Sequence, residues 1–219
     1  MQLNERTLTI LKNFNSINSS ILINPGNIIT TMALDKTMLS TAEIAESFDK
    51  QNAIYDLSKF LGLLSLFENP DIIINEKYAT ISSGRRKVTY VFADIETIPA
   101  PKSNKIDLKE VFVEFDMSLG MLKDIKKASA VLGLPEIAIF AEDNALAIKA
   151  FDSQNPTGDT YNIKISDCDY DSNFSFIFKT DKLKMIDQDY KVYVDKMGIC
   201  KFEAPDISYW LTVEYNSKK

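Results

Sequence analysis

Histidine is absent from the 219 residues, and no other gap in the composition removes as much chemistry. Without an imidazole there is no Ser-His-Asp or Cys-His nucleophile, few routes to a zinc site, and no side chain that ordinarily titrates near neutrality. Two cysteines, Cys168 and Cys200, are too few for a disulfide framework and lack metal-ligand spacing, so they read as reduced structural thiols. Seven glycines and seven prolines exclude a fibrous or disordered composition. Apolar runs stop after a few residues, far short of the ~20 that cross a bilayer. The opening MQLNERTLTI lacks the basic-then-apolar order of a secretion signal, so a cytoplasmic location and no membrane partner are expected.

Motifs are equally sparse. There is no P-loop, no Rossmann glycine pattern and no HExxH, and no cofactor, metal or catalytic residue is expected. Asp167-Cys168-Asp169-Tyr170-Asp171 imitates the start of a calcium loop. Ser172 replaces the turn glycine, however, and Phe178 stands where the closing glutamate belongs, which leaves an acidic loop. The basic run Ser83-Gly84-Arg85-Arg86-Lys87 sits at a turn before a strand, where solvated charge is the ordinary explanation.

What is present is a chain with 45% hydrophobic residues, long enough for one large domain or two of about 100 residues each. From Asn4 to Phe14, Leu8, Ile10, Leu11 and Phe14 share one side of a helical wheel. AIYDLSKFLGLLSL, from Ala53 to Leu66, reads as a strand followed by a helix that Asp56 caps and that runs from Leu57 to about Phe67. The proline-bearing stretch 94–105 is the best linker. Beyond it Val111–Phe115 is a strand, Ser118 caps a helix to Leu132, and Gly133-Leu134-Pro135 ends that helix. A short helix is expected over Thr180–Met185 and a strand over Tyr209–Tyr215. Each half repeats the order strand, Asp-led helix with lysine, then three strands. The expected fold is α+β: two similar domains at 1–94 and 108–219 joined by 95–107, with antiparallel sheets and two helices per domain on one face.

In the Ser118–Leu132 helix, Leu122, Ile125, Ala128 and Leu132 form the apolar side, while Lys123, Lys126, Lys127 and Ala130 fall opposite. On one helix this would be an ordinary solvated face. The pattern recurs, with Arg6 and Lys12 on the first helix, Lys59 on the second, and Lys182 and Lys184 on the fourth. In a chain of net charge -6 this predicts a positive strip aimed at a polyanion. Lysines suit loose attraction to phosphate rather than base reading, and no aromatic series interleaves them for stacking on single strands.

ILKNFNSINSSI, from Ile10 to Ile21, then AIYDLSKFLGLLSL, and the closing FSFIFK, KMIDQDYKV and KFE segments together resemble the sliding clamps of T-even-type phages, the DNA polymerase processivity factors. The resemblance implies a non-enzymatic homotrimeric ring around double-stranded DNA, with helices lining the central channel and sheets outside. It implies the replicative DNA polymerase and an ATP-driven clamp loader as partners, in the cytoplasm of an infected bacterial host. Subunits would join edge to edge through Arg86–Ala93 and Thr160–Ser166, with Tyr90, Phe92, Tyr161 and Ile163 at the interface. A partner peptide would dock beside the linker near Met32, Ile98, Pro99, Trp210 and Leu211, for each of which core packing is the competing role. Two other classes remain open: a non-enzymatic phage assembly protein built from the same duplicated domains, and a carboxylate-dependent nuclease.

Overall fold

The computed structural model describes residues 1–167 and 174–217. The chain forms two compact units, Met1–Ile106 with Pro205–Ser208, and Asp107–Ala204 with Tyr209–Lys219.

The first unit opens with α1 (Glu5–Ile17), whose N-terminus is closed by the Asn4 side chain accepting from Thr7 N at 2.7 Å. Ile10, Leu11 and Phe14 are its buried face. β1 (Ile21–Ile23) pairs with β4 (Asn52–Ile54), and β2 (Gly26–Met32) pairs with β3 (Met38–Phe48). Within β3, Ala42 and Ile44 are buried while Glu43 and Ala45 are exposed, the two-residue period of a half-buried sheet.

Asp56 caps α2 (Leu57–Leu64) by accepting from Lys59 N at 2.8 Å. This helix stops earlier than expected, because Leu66 N and Phe67 N bond three residues back and Ser65 Oγ donates to Gly62 O, which tightens the last turn. β5 (Asp71–Ile74), β6 (Tyr78–Ser83) and β7 (Arg86–Val91) form an antiparallel three-stranded sheet in that order. In the linker, Ile95–Thr97 makes a 3-10 turn and Ile98 is buried. The segment 205–208 joins this unit, with Glu43 N donating to Asp206 O at 2.9 Å.

In the second unit β8 (Val111–Met117) leads through Ser118, whose hydroxyl accepts from Met121 N, into α3 (Leu119–Leu132). Gly133 terminates α3 at φ 67°, a left-handed position that a side chain would strain. β9 (Glu136–Glu142), β10 (Ala145–Phe151), β11 (Tyr161–Asp167), β12 (Phe174–Lys179), β13 (Tyr190–Asp195), β14 (Ile199–Glu203), β15 (Ile207–Thr212), whose first two residues belong to the first unit, and β16 (Glu214–Ser217) follow. One sheet has the order β11-β10-β9-β12-β16, and β13 pairs antiparallel with both β8 and β14. α3 packs against β10 and β11, and Leu122 and Ile125 of the helix and Ile148 of β10 are at 0% exposure. Each such side chain is worth ~1.5–3 kcal/mol of burial.

Two expectations for this unit change. No helix forms at Thr180–Met185; a 3-10 turn covers Thr180–Lys182 only. Thr180 is already committed to Leu134 O and Pro135 O, and so short a segment cannot offset the cost of nucleating a helix. The described residues therefore contain α1, α2 and α3 as their α-helices. The strand expected over Tyr209–Tyr215 breaks into β15 and β16 at Val213, whose N–H turns away to Gly198 O at 2.9 Å. Cys168 and most of the calcium-loop imitation lie outside the described residues.

Candidate nucleic-acid interface

In the first unit α1 and α2 lie side by side, tied by Asn15 Nδ2 donating to Ser58 Oγ at 2.9 Å. Lys12 is one turn before Asn15 and Lys59 follows Ser58, so adjacent helices carry the two amines. Both are exposed, and among the described residues neither has an ion-pair partner. Arg6 is placed differently: its guanidinium holds both carboxylate oxygens of Asp206 at 2.7 and 2.8 Å. That contact keeps the Asp206 carboxyl below the usual carboxylate range, against the opposing effect of partial burial. Arg6 is a tie from α1 to the 205–208 segment, and its charge is met locally.

In the second unit Lys123 and Lys127 stand exposed on α3 without ion-pair partners among the described residues. Lys126, between them in sequence, is half-buried, and its ammonium donates to Met185 O and to Asp187 Oδ1, both at 2.8 Å. It fastens the stretch after the 3-10 turn to the helix. Lys182 is half-buried and Lys184 exposed, and each has further contacts of its own. The apolar side of α3 is Leu122, Ile125 and Ser129, at spacings of three and four. Leu132, expected inside, is 40% exposed beside Val131 at 75%, and Leu134 takes the buried place after the Gly133 turn. Ser129 tolerates burial because its hydroxyl donates to Ile125 O at 2.7 Å.

The residues expected near a peptide pocket are mostly inside their own units. Ile98, Trp210 and Leu211 are buried, Met32 is half-buried with its carbonyl accepting from Asn18 Nδ2, and Pro99 is exposed. In the first unit a groove of ≈ 470 Å³ runs between Gly26–Ile28 of β2 and linker residues Ala100–Asn104, where the Thr41 hydroxyl donates to Asn104 O. Among the expected interface residues Tyr90 is buried, its ring edge-on to Phe60 at 5.2 Å and its hydroxyl donating to Asp56 O. Burial is also the main reason its phenol is pushed up. Phe92, Tyr161 and Ile163 are half-buried on or beside the border strands β7 and β11.

Sequence reasoning missed Asp206 and Asp187, the carboxylates that occupy Arg6 and Lys126. Asp206 is 200 residues from Arg6, and no local pattern signals such a partner. The described residues hold no cluster of three or more acidic, cysteine or histidine side chains able to bind a metal ion, and no helix long and apolar enough to cross a membrane.

A family model described as "gp45 sliding clamp, C terminal" matches residues 114–215, and one described as "DNA polymerase processivity factor" matches residues 4–98. The chain is 34% identical to the sliding clamp of Vibrio phage KVP40 over 98% of its own length and 99% of that protein. It is 30% identical to the sliding clamp of Enterobacteria phage T4 over 99% of its length and 98% of that one. Among solved structures it superposes on A. fulgidus PCNA, bound to the C-terminal region of FEN-1, with a TM-score of 0.70 at 13% identity, covering 99% of this chain and 98% of that one. A Helicobacter pylori beta clamp bound to a DNA ligase peptide gives a TM-score of 0.69 at 16% identity, covering 98% of this chain and 65% of that one. These likenesses extend over both units, and with exposed lysines on helices in an acidic, histidine-free chain they place the protein in the sliding-clamp family of DNA polymerase processivity factors, which are not enzymes.

Proposed function

We propose that the chain assembles as a homotrimeric ring around double-stranded DNA and tethers the replicative polymerase by topological linkage. The observation that carries this reading is the repetition of exposed lysines on helices of both units, Lys12 with Lys59 and Lys123 with Lys127, without ion-pair partners among the described residues, in a chain of net charge -6. Amines on long stems attract phosphate without fixing a register, so the ring slides; an acidic remainder discourages DNA from binding elsewhere. Three chains of two units supply six similar segments of wall. A two-chain ring would need a third unit of ~100 residues per chain, which this length does not hold.

An ATP-driven loader opens the ring, and the whole operates in the cytoplasm of the infected host. Partner peptides dock in the groove that Pro25–Ile28 and linker residues 100–104 line. The peptides carried by the A. fulgidus and Helicobacter clamps support such a mode. The reading is tested by Lys123→Glu with Lys127→Glu, which lowers polymerase processivity while leaving the assembled mass unchanged. Unchanged processivity would reduce that helix face to solvated charge.

A further inference from the structure

β5 is one border of the β5-β6-β7 sheet, and Met1 pairs with its outer edge. The Met1 ammonium donates to Ile72 O and Ile72 N donates to Met1 O, both at 2.8 Å, while Gln2 Nε2 reaches Asp71 Oδ1 at 3.1 Å. Two residues that exchange both bonds form an antiparallel pair. On the other edge Asn75 N donates to Tyr78 O, so Asn75, Ile73 and Asp71 turn their backbone groups toward β6. Ile72 and Ile74 therefore turn theirs outward. Those of Ile72 are taken by Met1, and those of Ile74 face a groove of ≈ 330 Å³ that Met1, Phe48, Lys50 and Ile72–Ile74 line.

The second unit shows what a longer strand does at the corresponding place. Leu3 and Met117 each stand one residue before a helix cap, Asn4 for α1 and Ser118 for α3. Counting back from the caps, Met1 corresponds to Phe115, and Met1 opposite Ile72 corresponds to Phe115 opposite Val192. β8 runs on beyond Phe115, and two residues further Val113 lies opposite Val194, at 1% and 0% exposure. Opposite Ile74, the counterpart of Val194, lies the groove. Its floor is apolar, with Phe48 at 7% and Ile72 at 3% exposure, and Ile74 is half-buried beside it.

We propose that this groove takes the C-terminal residues of a partner protein as an added strand antiparallel to β5, with the last residue opposite Ile74 and its free carboxylate turned toward Met1. The chemistry of the occupant follows from what lines the site. Running in the direction of Met1-Gln2, its last residue exchanges backbone bonds with Ile74, and Ile74 N donates to the terminal carboxylate. At about 3.4 Å of strand per residue, a chain that stops opposite Ile74 leaves its carboxylate roughly 4 Å from the Met1 ammonium. That ammonium gives one hydrogen to Ile72 O and has two more. Asp49 and Lys50 at the rim are both exposed and offset one another, so the terminal ammonium sets the sign of charge that is favoured. The last side chain lies on the same face as Ile72 and Ile74, as Val113 does with Val192 and Val194, and an aliphatic one fits there. Ile73, 58% exposed, points to the opposite face and sets no such demand.

The site is independent of the ring reading. It is tested by fluorescence anisotropy of the full chain with the labelled peptide Ser-Thr-Val-Thr-Val, as the free acid and as the C-terminal amide. The acid binds, and the amide binds about ten-fold or more weakly, because a charge-assisted bond is replaced by a neutral one. Ile74→Pro removes the outward N–H without removing a bond to β6, which a border strand tolerates, and weakens the acid by a similar factor with the melting temperature unchanged. Should Ile74→Pro melt early, the chain acetylated at the Met1 nitrogen decides: it keeps an N–H for Ile72 O, loses the charge, and binds acid and amide alike. Equal binding of acid and amide by the parent, or no binding up to millimolar peptide, overturns the site. Binding of the acid that survives both Ile74→Pro and acetylation belongs to another surface, such as the linker groove, and overturns it as well, with the assembled mass and DNA retention of the parent unaffected.

Discussion

The guanidinium of Arg6, on the first turns of α1, grips both carboxylate oxygens of Asp206, which lies 200 residues further along the chain. A cation that the helical wheel assigns to a DNA-facing strip thus fastens a segment of the C-terminal half into the first unit.

The pair gives the protein an acid-side dependence. Asp206 has a folded-state pKa below its unfolded value, so its contribution is present above the ordinary carboxylate range near ~3.9 and is lost as pH falls through the lowered folded value. Urea midpoints of the parent and Asp206→Asn should differ at pH 7 and converge as the pH drops below 4. A difference that persists unchanged at low pH contradicts the assignment.

Lys126 and Lys127 are sequence neighbours in different settings, the first half-buried and bonded, the second exposed. Lys127→Ala should lower the slope of log affinity for duplex DNA against log salt by roughly 0.9 for each phosphate that is no longer neutralised, with the melting temperature unchanged. Lys126→Ala removes the bonds to Met185 O and Asp187 and should cost about 1 kcal/mol of stability while leaving that slope in place. Equal effects on both readouts would contradict the division.

Much of this was legible in the sequence, and the misses share a cause. Asn4, Asp56 and Ser118 were readable as helix starts, and Gly133 as a stop, because capping is decided within a few residues. The α+β class came from hydrophobic periods, which are equally local. A wheel cannot show that Lys126 reaches Asp187, or that Ser129 rather than Leu132 is inside, since both depend on what packs over α3. Thr180–Met185 carries helix-forming residues, but tertiary bonds at Thr180 override so weak a local preference.

The Asp56 cap holds a helix of only two turns, and its backbone also receives the Tyr90 hydroxyl. Asp56→Ala should cost about 1 kcal/mol, read as a fall of roughly 4–8 °C in the melting of a unit of this size. Asp56→Asn should recover most of it, because an amide oxygen caps nearly as well. A loss with Asn equal to that with Ala would mean the charge, not the cap, matters.

Cys200 is fully buried, and burial pushes its thiol far above the ordinary range. In a Cys168→Ser background no thiol should react with a disulfide reagent at pH 8 until denaturant is added, whereupon one equivalent appears. Reaction of the native protein at the rate of a small-molecule thiol would contradict that placement.

Linkage around DNA is tested most directly by retention on circles. The protein is loaded onto nicked circular duplex, freed of unbound protein by gel filtration in high salt, and divided, with one portion linearised by a restriction enzyme. The account predicts that it co-elutes with the circle and is lost from the linear form. Equal retention on both, or equal loss from both, would contradict it.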